Sequence, residues 1–330
     1  MNFRQLIPLL IIHVLFLSCF PASLQAETEN EENLSIHEER LNMYHEIESL
    51  THVPWYWLAG VDAYERGLTK ARKDRESSEG IISIYYAPNE WAGPLNPDLE
   101  DVDPTSITLF GGKGLDGNGD GKADREDDYD RLFTFANEIA SYGNTDKDVR
   151  IGLWKHYLRD QTVRIITGHA NVYRHHGHTN LEERAFPLPS EYEYSYQSTW
   201  GVKRGWGGRR IHEGTDLFAG HSTPVRSTSH GVVELMGWND FGGWRIGIRD
   251  LNNVYHYYAH LSSFEDSIEQ GTIVEPGDVI GYVGSSGYGK PGTQGKFPPH
   301  LHYGLYRDNG YTEWSFDPYP SLKQWEKQES

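Results

Sequence analysis

Three short histidine-containing motifs in the C-terminal half of the chain constrain its fold most strongly. They centre on His212 and Asp216, on His260, and on the pair His300 and His302. Histidine nitrogen and carboxylate oxygen are ligands that zinc accepts, and a catalytic zinc keeps three protein ligands and one open position. His212, Asp216 and one of His300 or His302 would complete such a set. The fold must therefore bring distant parts of the sequence together around one ion.

The spacing of the last motif predicts a strand. Side chains alternate along a strand, so His300 and His302 are expected on one face and Leu301 on the other. One imidazole would then bind the metal while the other transfers protons. His260 lies in a second strand-like segment, and His256 precedes it by four positions. His256 either lines the same face or is a partly buried strand histidine.

From about residue 186 to 320, the chain resembles the M23 (lysostaphin-type) zinc metallopeptidases. The order of HxxxD, YxHL and HxH motifs carries this resemblance, and glycine-rich runs at 231–233, 271–281 and 284–287 support it. The loop at 288–299 is longer than its counterpart in the family. This difference affects how a substrate fits and not how the metal is bound. The resemblance implies zinc ligation by His212, Asp216 and His302, and activation of water and stabilisation of the tetrahedral intermediate by His260 and His300.

The chemistry of these residues agrees with that resemblance. Zinc lowers the pKa of bound water to roughly 7, and a neutral histidine accepts a proton near that pH. The sequence contains no HExxH motif, so no glutamate on a metal-binding helix is expected to act as base. A degenerate family member without metal is the alternative interpretation.

The N-terminus, residues 1–26, predicts a secretory signal. Arg4 is its one charged side chain, an apolar run covers 6–20, and Ala26 offers a small residue for cleavage before an acidic segment. The expected location is secreted or in the cell wall. Alternatives are a retained membrane anchor and, because of Cys19, a lipoprotein. Residues 27–40 are interpreted as an acidic linker.

Composition excludes several classes of protein. Cys19 is the only cysteine, so cleavage after residue 26 leaves neither disulfides nor cysteine zinc ligands. A chain of 330 residues is long enough for two domains with cores of their own. The formal net charge of −18 argues against nucleic-acid binding.

Residues 41–185 are predicted to form a mainly helical domain. The segment 54–66 begins with a proline at a plausible helix start and resembles the helix of lysozyme-like lytic transglycosylases that ends in their catalytic glutamate, here Glu65. Arg66 stands where that family favours serine, and the family's usual glutamine is absent. A degenerate glycan-binding domain is therefore favoured, with Glu65 as a second catalytic acid as the alternative.

Residues 116–127 resemble a calcium-binding loop in which Gly121 makes the sharp turn. Residues 105–110, just before it, are predicted to be extended. The alternative is a loop of Asx turns with exposed carboxylates. Calcium is a second candidate ion, and its expected ligands are Asp116, Asn118, Asp120, Asp124 and Asp127.

Two further segments have weaker signals. A histidine cluster, with His175, His176 and His178, lies at the apparent domain boundary. An exposed helix end is favoured there over a metal site. Residues 321–330 are interpreted as a polar, peripheral tail.

The sequence thus predicts an α+β multidomain protein: a mainly helical, lysozyme-like N-terminal domain followed by an antiparallel β-sheet M23 peptidase domain at 186–320. The predicted function is a secreted zinc endopeptidase that hydrolyses amide bonds of peptidoglycan stem peptides, with L-Ala–D-Glu as one candidate bond, in remodelling of the cell wall or spore cortex. Peptidoglycan is the expected partner, without nucleic acid and without stable membrane insertion. The alternatives are a catalytically idle wall-binding or scaffold protein, and a bifunctional peptidase and glycan lyase that uses Glu65.

Overall fold

Helices form the N-terminal half of the chain and strands form the C-terminal half. The computed structural model describes residues 22–75, 80–205 and 208–329. Most of the predicted signal segment, at 1–21, lies outside these ranges. None of the helices within them combines the length and the apolar character that a membrane span needs. The predicted order of a helical part before an antiparallel sheet is confirmed.

Seven helices precede the first strand in the described ranges. The first helix begins at Ala22, so the segment 27–40 is helical and continues directly into residues 41–51. Its role as a linker stays a prediction. The helices are α1 (Ala22–Thr51), α2 (Trp55–Ala71), α3 (Pro88–Trp91), α4 (Pro104–Leu109), α5 (Asp128–Ala140), α6 (Asp146–Tyr157) and α7 (Asp160–His176).

Helices α2 and α7 cross closely at a glycine. A Cβ on Gly60 would lie 3.0 Å from the backbone nitrogen of Ala170, so only glycine fits there without a shift. Asp62, two residues further on, is fully buried and accepts a hydrogen bond of 2.7 Å from the Tyr44 hydroxyl. These contacts fix α2 between α1 and α7 in an apolar core.

The sequence predicts an extended conformation for residues 105–110, and this prediction is wrong. Residues Pro104–Leu109 form α4, because the Asp103 carboxylate caps the Thr105 amide at 2.9 Å and Pro104 occupies the first turn. Local capping therefore outweighs the β-branched composition of this segment.

The C-terminal half forms one twisted antiparallel sheet and a small two-stranded ribbon. The central path of the large sheet runs β1-β4-β11-β8-β7-β6-β9; β10 pairs with β5 and β8, and β12 pairs with β11. Strands β2 and β3 form the ribbon. The strands are β1 (Tyr194–Tyr196), β2 (Lys203–Arg204), β3 (Arg210–Ile211), β4 (Thr215–Ala219), β5 (Pro224–Arg226), β6 (Gly231–Asn239), β7 (Gly243–Asp250), β8 (Val254–Phe264), β9 (Ile273–Val274), β10 (Val279–Val283), β11 (His300–Asp308) and β12 (Glu313–Phe316).

The C-terminal segment is part of the core and not a peripheral tail. Residues Tyr319–Gln328 form helix α8. Leu322 and Trp325 lie three positions apart on its inner face and are buried against the sheet, where the indole stacks on His256 at a centroid distance of 6.3 Å. The polar composition of 321–330 reflects only the outer face of this helix.

Helix α7 contacts the sheet through buried polar groups. Its His169 donates Nε2–H to the Asp250 carbonyl at 2.9 Å. At the other end of the helical part, Arg159 makes a two-armed contact with the buried carboxylate of Asp308, with Nη1 at 3.0 Å and Nη2 at 2.5 Å. These directional contacts hold the two halves in one orientation.

Candidate metal centre and catalytic groove

The pairing of β4 with β11 brings together the residues of the first and last motifs. Asp216 on β4 lies directly opposite His302 on β11. His212 precedes β4 by three residues. Its Nε2 lies 2.9 Å from His302 Nδ1 and 3.0 Å from Asp216 Oδ1, and the latter two atoms are 3.1 Å apart. Three potential metal-ligating atoms therefore converge on one point.

Backbone contacts orient the imidazole of His212. The loop before β3 hydrogen-bonds the backbone of His212 at Gly201 and Val202, both at 2.8 Å. The ring nitrogen Nδ1 lies 3.0 Å from the Thr199 carbonyl, which can only accept a hydrogen bond. In the neutral ring Nδ1 must carry the proton, so the lone pair of Nε2 faces His302 and Asp216. This is the tautomer that a metal requires, and the donor set fits zinc.

Asp216 is held as a carboxylate by its neighbours. Burial alone would raise the pKa of Asp216, but hydrogen bonds to His212 and His302 hold the pKa well below its ordinary range. Its second oxygen, Oδ2, accepts a 2.7 Å bond from Arg204. Arg204 thus leaves Oδ1 directed at the two imidazoles.

A glycine permits the close approach of His302. A Cβ added to Gly214 would lie 2.5 Å from the Tyr303 carbonyl oxygen and 2.7 Å from His302 Cε1. Neither contact is tolerable for a larger residue. Gly214 therefore determines how near the His302 ring can lie to the start of β4.

His260 reaches the same groove through a β-bulge. In the pairing of β8 with β7, Tyr258 is opposite Ile246 and Leu261 is opposite Trp244, so β8 carries one extra residue. His260 adopts a φ of +63°, which is rare for a side chain other than glycine, and its amide donates to the Gly242 carbonyl at 2.7 Å. Such bulges redirect side chains.

This bulge separates His260 from His256. Before the bulge, Tyr257 lines the groove, whereas His256 points into the core. His256 Nδ1 contacts the hydroxyls of Thr228 at 2.8 Å and Tyr303 at 2.7 Å, and it takes no part in the groove. Of the two alternatives for His256, the structure shows the buried strand histidine, because the extra residue reverses the alternation between His256 and His260.

His260 and His300 are held in the same tautomer. His260 Nδ1 donates to the Ser286 carbonyl at 2.7 Å, and His300 Nδ1 donates to the Pro298 carbonyl at 2.9 Å. Each ring therefore keeps a lone pair on Nε2. The ring centroids are 4.8 Å apart, and His300 Nε2 lies 3.7 Å from Asp216 Oδ1.

Both of these rings are neutral. Burial, reinforced by the nearby His300 and His302, lowers the pKa of His260 well below its ordinary value. Burial likewise lowers the pKa of His300, although the charge of Asp216 opposes that shift. Two neutral imidazoles beside the triad can accept a proton or donate a hydrogen bond.

The five residues line a groove of about 540 Å³. The long loop 288–299 supplies one wall, in which Phe297 and Tyr288 pack against His260 at centroid distances of 4.6 and 5.8 Å. Aromatic side chains of β8 and β11 form another wall. The charged residues that line the groove include Arg204, Arg210, Arg245, Glu213 and Glu313.

The structure places Glu65 away from this groove. Glu65 is buried on α2, where one carboxylate oxygen accepts a 2.7 Å bond from the Tyr157 hydroxyl and the other pairs with Arg75. Both oxygens are thus engaged within the helical part. A role of Glu65 in glycan cleavage stays a prediction.

The loop 116–127 is organised around backbone amides. Asp116 accepts bonds from the amides of Gly119 and Gly121, and Asp127 caps α5. Asp130, which the sequence analysis did not single out, is buried and accepts bonds from three amides of the loop region, two of them at 2.7 Å. The arrangement matches the Asx-turn alternative, and within the described ranges this loop is in neither group of closely spaced potential metal ligands. Calcium binding stays a prediction.

The groove and its sheet define a class of protein, a peptidase with a histidine and aspartate metal centre. The sequence pattern of "Peptidase family M23" matches residues 210–315. The L-Ala–D-Glu endopeptidase of Bacillus subtilis (strain 168) is 56% identical over 316 residues, which cover 96% of each chain. The chain therefore belongs to peptidase family M23, a family of zinc metallopeptidases, and the predicted family and enzyme class are confirmed.

More distant relatives match a smaller share of the chain. Lysostaphin of Staphylococcus staphylolyticus is 32% identical over 142 residues, which cover 40% of this chain and 28% of lysostaphin. The solved catalytic domain of lysostaphin from Staphylococcus simulans is 29% identical and has a TM-score of 0.34; the match covers 43% of this chain and 99% of that domain. The lysozyme-like character of the helical part stays a prediction.

Sequence reasoning missed the residues that support the centre. Thr199 acts through its backbone carbonyl, which leaves no trace in the side-chain pattern. Arg204 and Gly214 lie close to the HxxxD motif, and a search for a partner of the aspartate would have found Arg204. The carbonyl of Ser286, within the glycine-rich run 284–287, orients His260.

Proposed function

We propose that the chain is a secreted zinc endopeptidase that hydrolyses the L-Ala–D-Glu bond of peptidoglycan stem peptides. The convergence of His212 Nε2, Asp216 Oδ1 and His302 Nδ1 within about 3 Å carries the zinc part of this proposal. The relative that is 56% identical over nearly the whole chain supports the bond. The apolar run at 6–20 supports secretion.

In this proposal His212, Asp216 and His302 hold the ion. Zinc, when bound, supplies Lewis-acid polarisation of the scissile carbonyl and acidifies water. Arg204 occupies Oδ2 of Asp216 and so leaves Oδ1 directed to the centre.

The proton transfers fall to His260 and His300. Their Nε2 atoms bear lone pairs because both Nδ1 atoms donate to carbonyls. One ring takes the proton from the attacking water on Nε2 and gives that proton to the leaving amine. While it holds the proton, the imidazolium stabilises the negative charge of the tetrahedral intermediate, which the second ring borders. The walls formed by Phe297 and Tyr288 limit access of bulk water.

The charge of the groove fits the acidic residue on the leaving side of this bond. A D-Glu residue retains one ionised carboxylate outside the peptide linkage. Arg210 lies over the Phe241 ring at 5.1 Å, and Arg245 also lines the groove. Both guanidinium groups are placed to receive a carboxylate, which arginine binds through two parallel hydrogen bonds.

The deciding experiment digests purified peptidoglycan with zinc-restored protein and identifies the products by mass spectrometry. We expect new D-Glu amino termini with the wild type and with His221→Ala, an exposed histidine outside the groove, and none with His302→Ala. A wild type that binds peptidoglycan without releasing peptides would instead support the idle wall-binding alternative.

A second measurement tests the arginines. With synthetic peptides that differ only in D-Glu or D-Gln after L-Ala, Arg245→Gln should raise KM for the acidic peptide and change little for the amide. An equal change for both peptides would show that Arg245 does not recognise the carboxylate.

A further inference from the structure

A second group of potential metal ligands lies between the helical part and the sheet. His175 and His176 are the last two residues of α7. His230 immediately precedes β6, and Glu275 immediately follows β9. Because β6 and β9 pair with Gly231 opposite Val274, the next residues along each strand, His230 and Glu275, lie beside each other at the end of the sheet. We call these four residues the interdomain cluster.

The distances within the interdomain cluster suit one ion. Ligating atoms of His175, His176 and Glu275 all lie within 4.8 Å of one another. His176 Nδ1 is 3.8 Å from Glu275 Oε1. The ring of His230 meets that of His176 edge to face, with centroids 5.0 Å apart. Three residues from two structural units thus surround a small volume, and His230 lies beside them against His176.

Two buried nitrogens of this cluster have no hydrogen-bond partner among the described residues. They are Nε2 of His176 and Nδ1 of His230, whose side chains are only 10% and 7% exposed. Buried polar atoms in folded proteins nearly always have a hydrogen-bond partner. A buried nitrogen without one therefore calls for a partner outside the protein chain, such as a water molecule or an ion. An ion would supply that partner.

The electrostatics favour a cation over a water molecule. Glu275 brings a full negative charge, and the C-terminal end of α7 adds its partial negative charge. The Glu183 carboxylate lies 3.7 Å from His230 Nε2.

We propose that His175, His176 and Glu275, with His230 beside them, form the site of a second divalent transition metal of the zinc class, separate from the catalytic centre. Imidazole nitrogen with one carboxylate is a donor set that zinc accepts in four-coordinate sites. Such an ion would tie the end of α7 to the ends of β6 and β9. It would give this chain, whose only cysteine is Cys19, a cross-link without a disulfide.

Metal content tests this proposal independently of the peptidase activity. After zinc restoration and removal of free ion, elemental analysis should find two zinc ions in the wild type and one in His302→Ala. Glu275→Gln and His175→Ala, both at exposed side chains, should each lower the content by one. His45→Ala, an exposed histidine of α1 next to Glu48, is the matched control and should keep both ions.

The same variants separate this site from the catalytic one. On the His302→Ala background, zinc should raise the melting temperature, and cobalt should produce the visible absorption of a four-coordinate site. Both effects should vanish when Glu275→Gln or His175→Ala is added. One zinc in the wild type and none in His302→Ala would overturn the proposal, as would unchanged metal content in Glu275→Gln and His175→Ala. If His176→Ala does not fold, those two exposed positions still give the answer.

Discussion

Asp216 and His302 lie directly opposite each other across the β4–β11 pair, with Oδ1 and Nδ1 3.1 Å apart. A cross-strand position brings side chains close without any loop having to fold over the site. The register of two strands therefore sets the geometry of two of the three proposed zinc ligands. Only His212 depends on a loop, and backbone hydrogen bonds fix that loop at Gly201 and Val202.

The two imidazoles beside the triad should affect turnover and not metal binding. His260→Gln and His300→Gln are each expected to lower kcat by about 10²–10⁴-fold, since general acid–base catalysis typically contributes that much. Zinc content should stay at the wild-type level, because neither ring belongs to the converging triad. Peptide hydrolysis followed by chromatography, together with elemental analysis, measures both quantities. A parallel loss of zinc and activity would instead identify the altered residue as a ligand.

Gly214→Ala should disturb the metal centre through packing alone. The added methyl group would meet the Tyr303 carbonyl and the His302 ring, so we expect a loss of about 1–3 kcal/mol in the free energy of unfolding and weaker zinc binding. Gly220→Ala, at the other end of β4, is the matched control because its methyl group would meet only Thr223 Oγ1 at 3.6 Å. Equal zinc affinities for the two variants would contradict this reading of Gly214.

The buried His169 should make the protein sensitive to acid. Burial lowers the pKa of His169 from 6.5 to about 4. As pH falls from 6.5 towards 4, His169 becomes protonated in the unfolded chain but stays neutral in the folded protein, so the folded state loses stability. The full contribution is about 3 kcal/mol.

Denaturant unfolding of His169→Gln at a series of pH values tests this expectation. The variant should lose stability less steeply than the wild type between pH 6.5 and 4, whereas His45→Gln at an exposed position should follow the wild type. Identical slopes for His169→Gln and wild type would show that another group causes the acid sensitivity.

Glu65→Gln should affect folding and not sugar chemistry. The substitution leaves Arg75 without its buried carboxylate partner, and breaking a buried ion pair on one side costs about 3–5 kcal/mol. We expect a lower melting temperature, undiminished peptide release by the folded fraction, and no anhydro-sugar products from either protein. Anhydro-sugars that the wild type forms and Glu65→Gln does not would establish the bifunctional alternative.

The proposed zinc ligands and the two neighbouring imidazoles were predictable because the spacing of histidine and aspartate in the sequence indicates metal chemistry. HxxxD and HxH contain Asp216 and His302 at strand positions and His212 in the loop before β4, and strand alternation correctly assigned His300 and His302 to one face with Leu301 in the core. The same rule could not decide which face His256 occupies relative to His260, since no residue type in β8 indicates the bulge that follows Tyr258.

The ends of the chain were harder to predict for a different reason. Helix α8 buries only Leu322 and Trp325, which are too few apolar residues to stand out in a polar segment. The stretch 27–40 has an acidic composition that resembles a linker, yet it continues directly into the amphipathic part of α1. For α8, packing against distant residues decides the structure, and single-sequence patterns do not contain that information.

The bulge at His260 makes β8 a strand whose length matters more than its composition. If β8 kept its sequence but lost the bulge, regular alternation would turn the His260 imidazole to the side of His256 and Tyr258, away from the groove. Transplanting the catalytic histidines into another sheet would therefore require the backbone irregularity along with the side chains. Homologous or designed enzymes that exchange β8 should be aligned at Gly242, whose carbonyl receives the His260 amide.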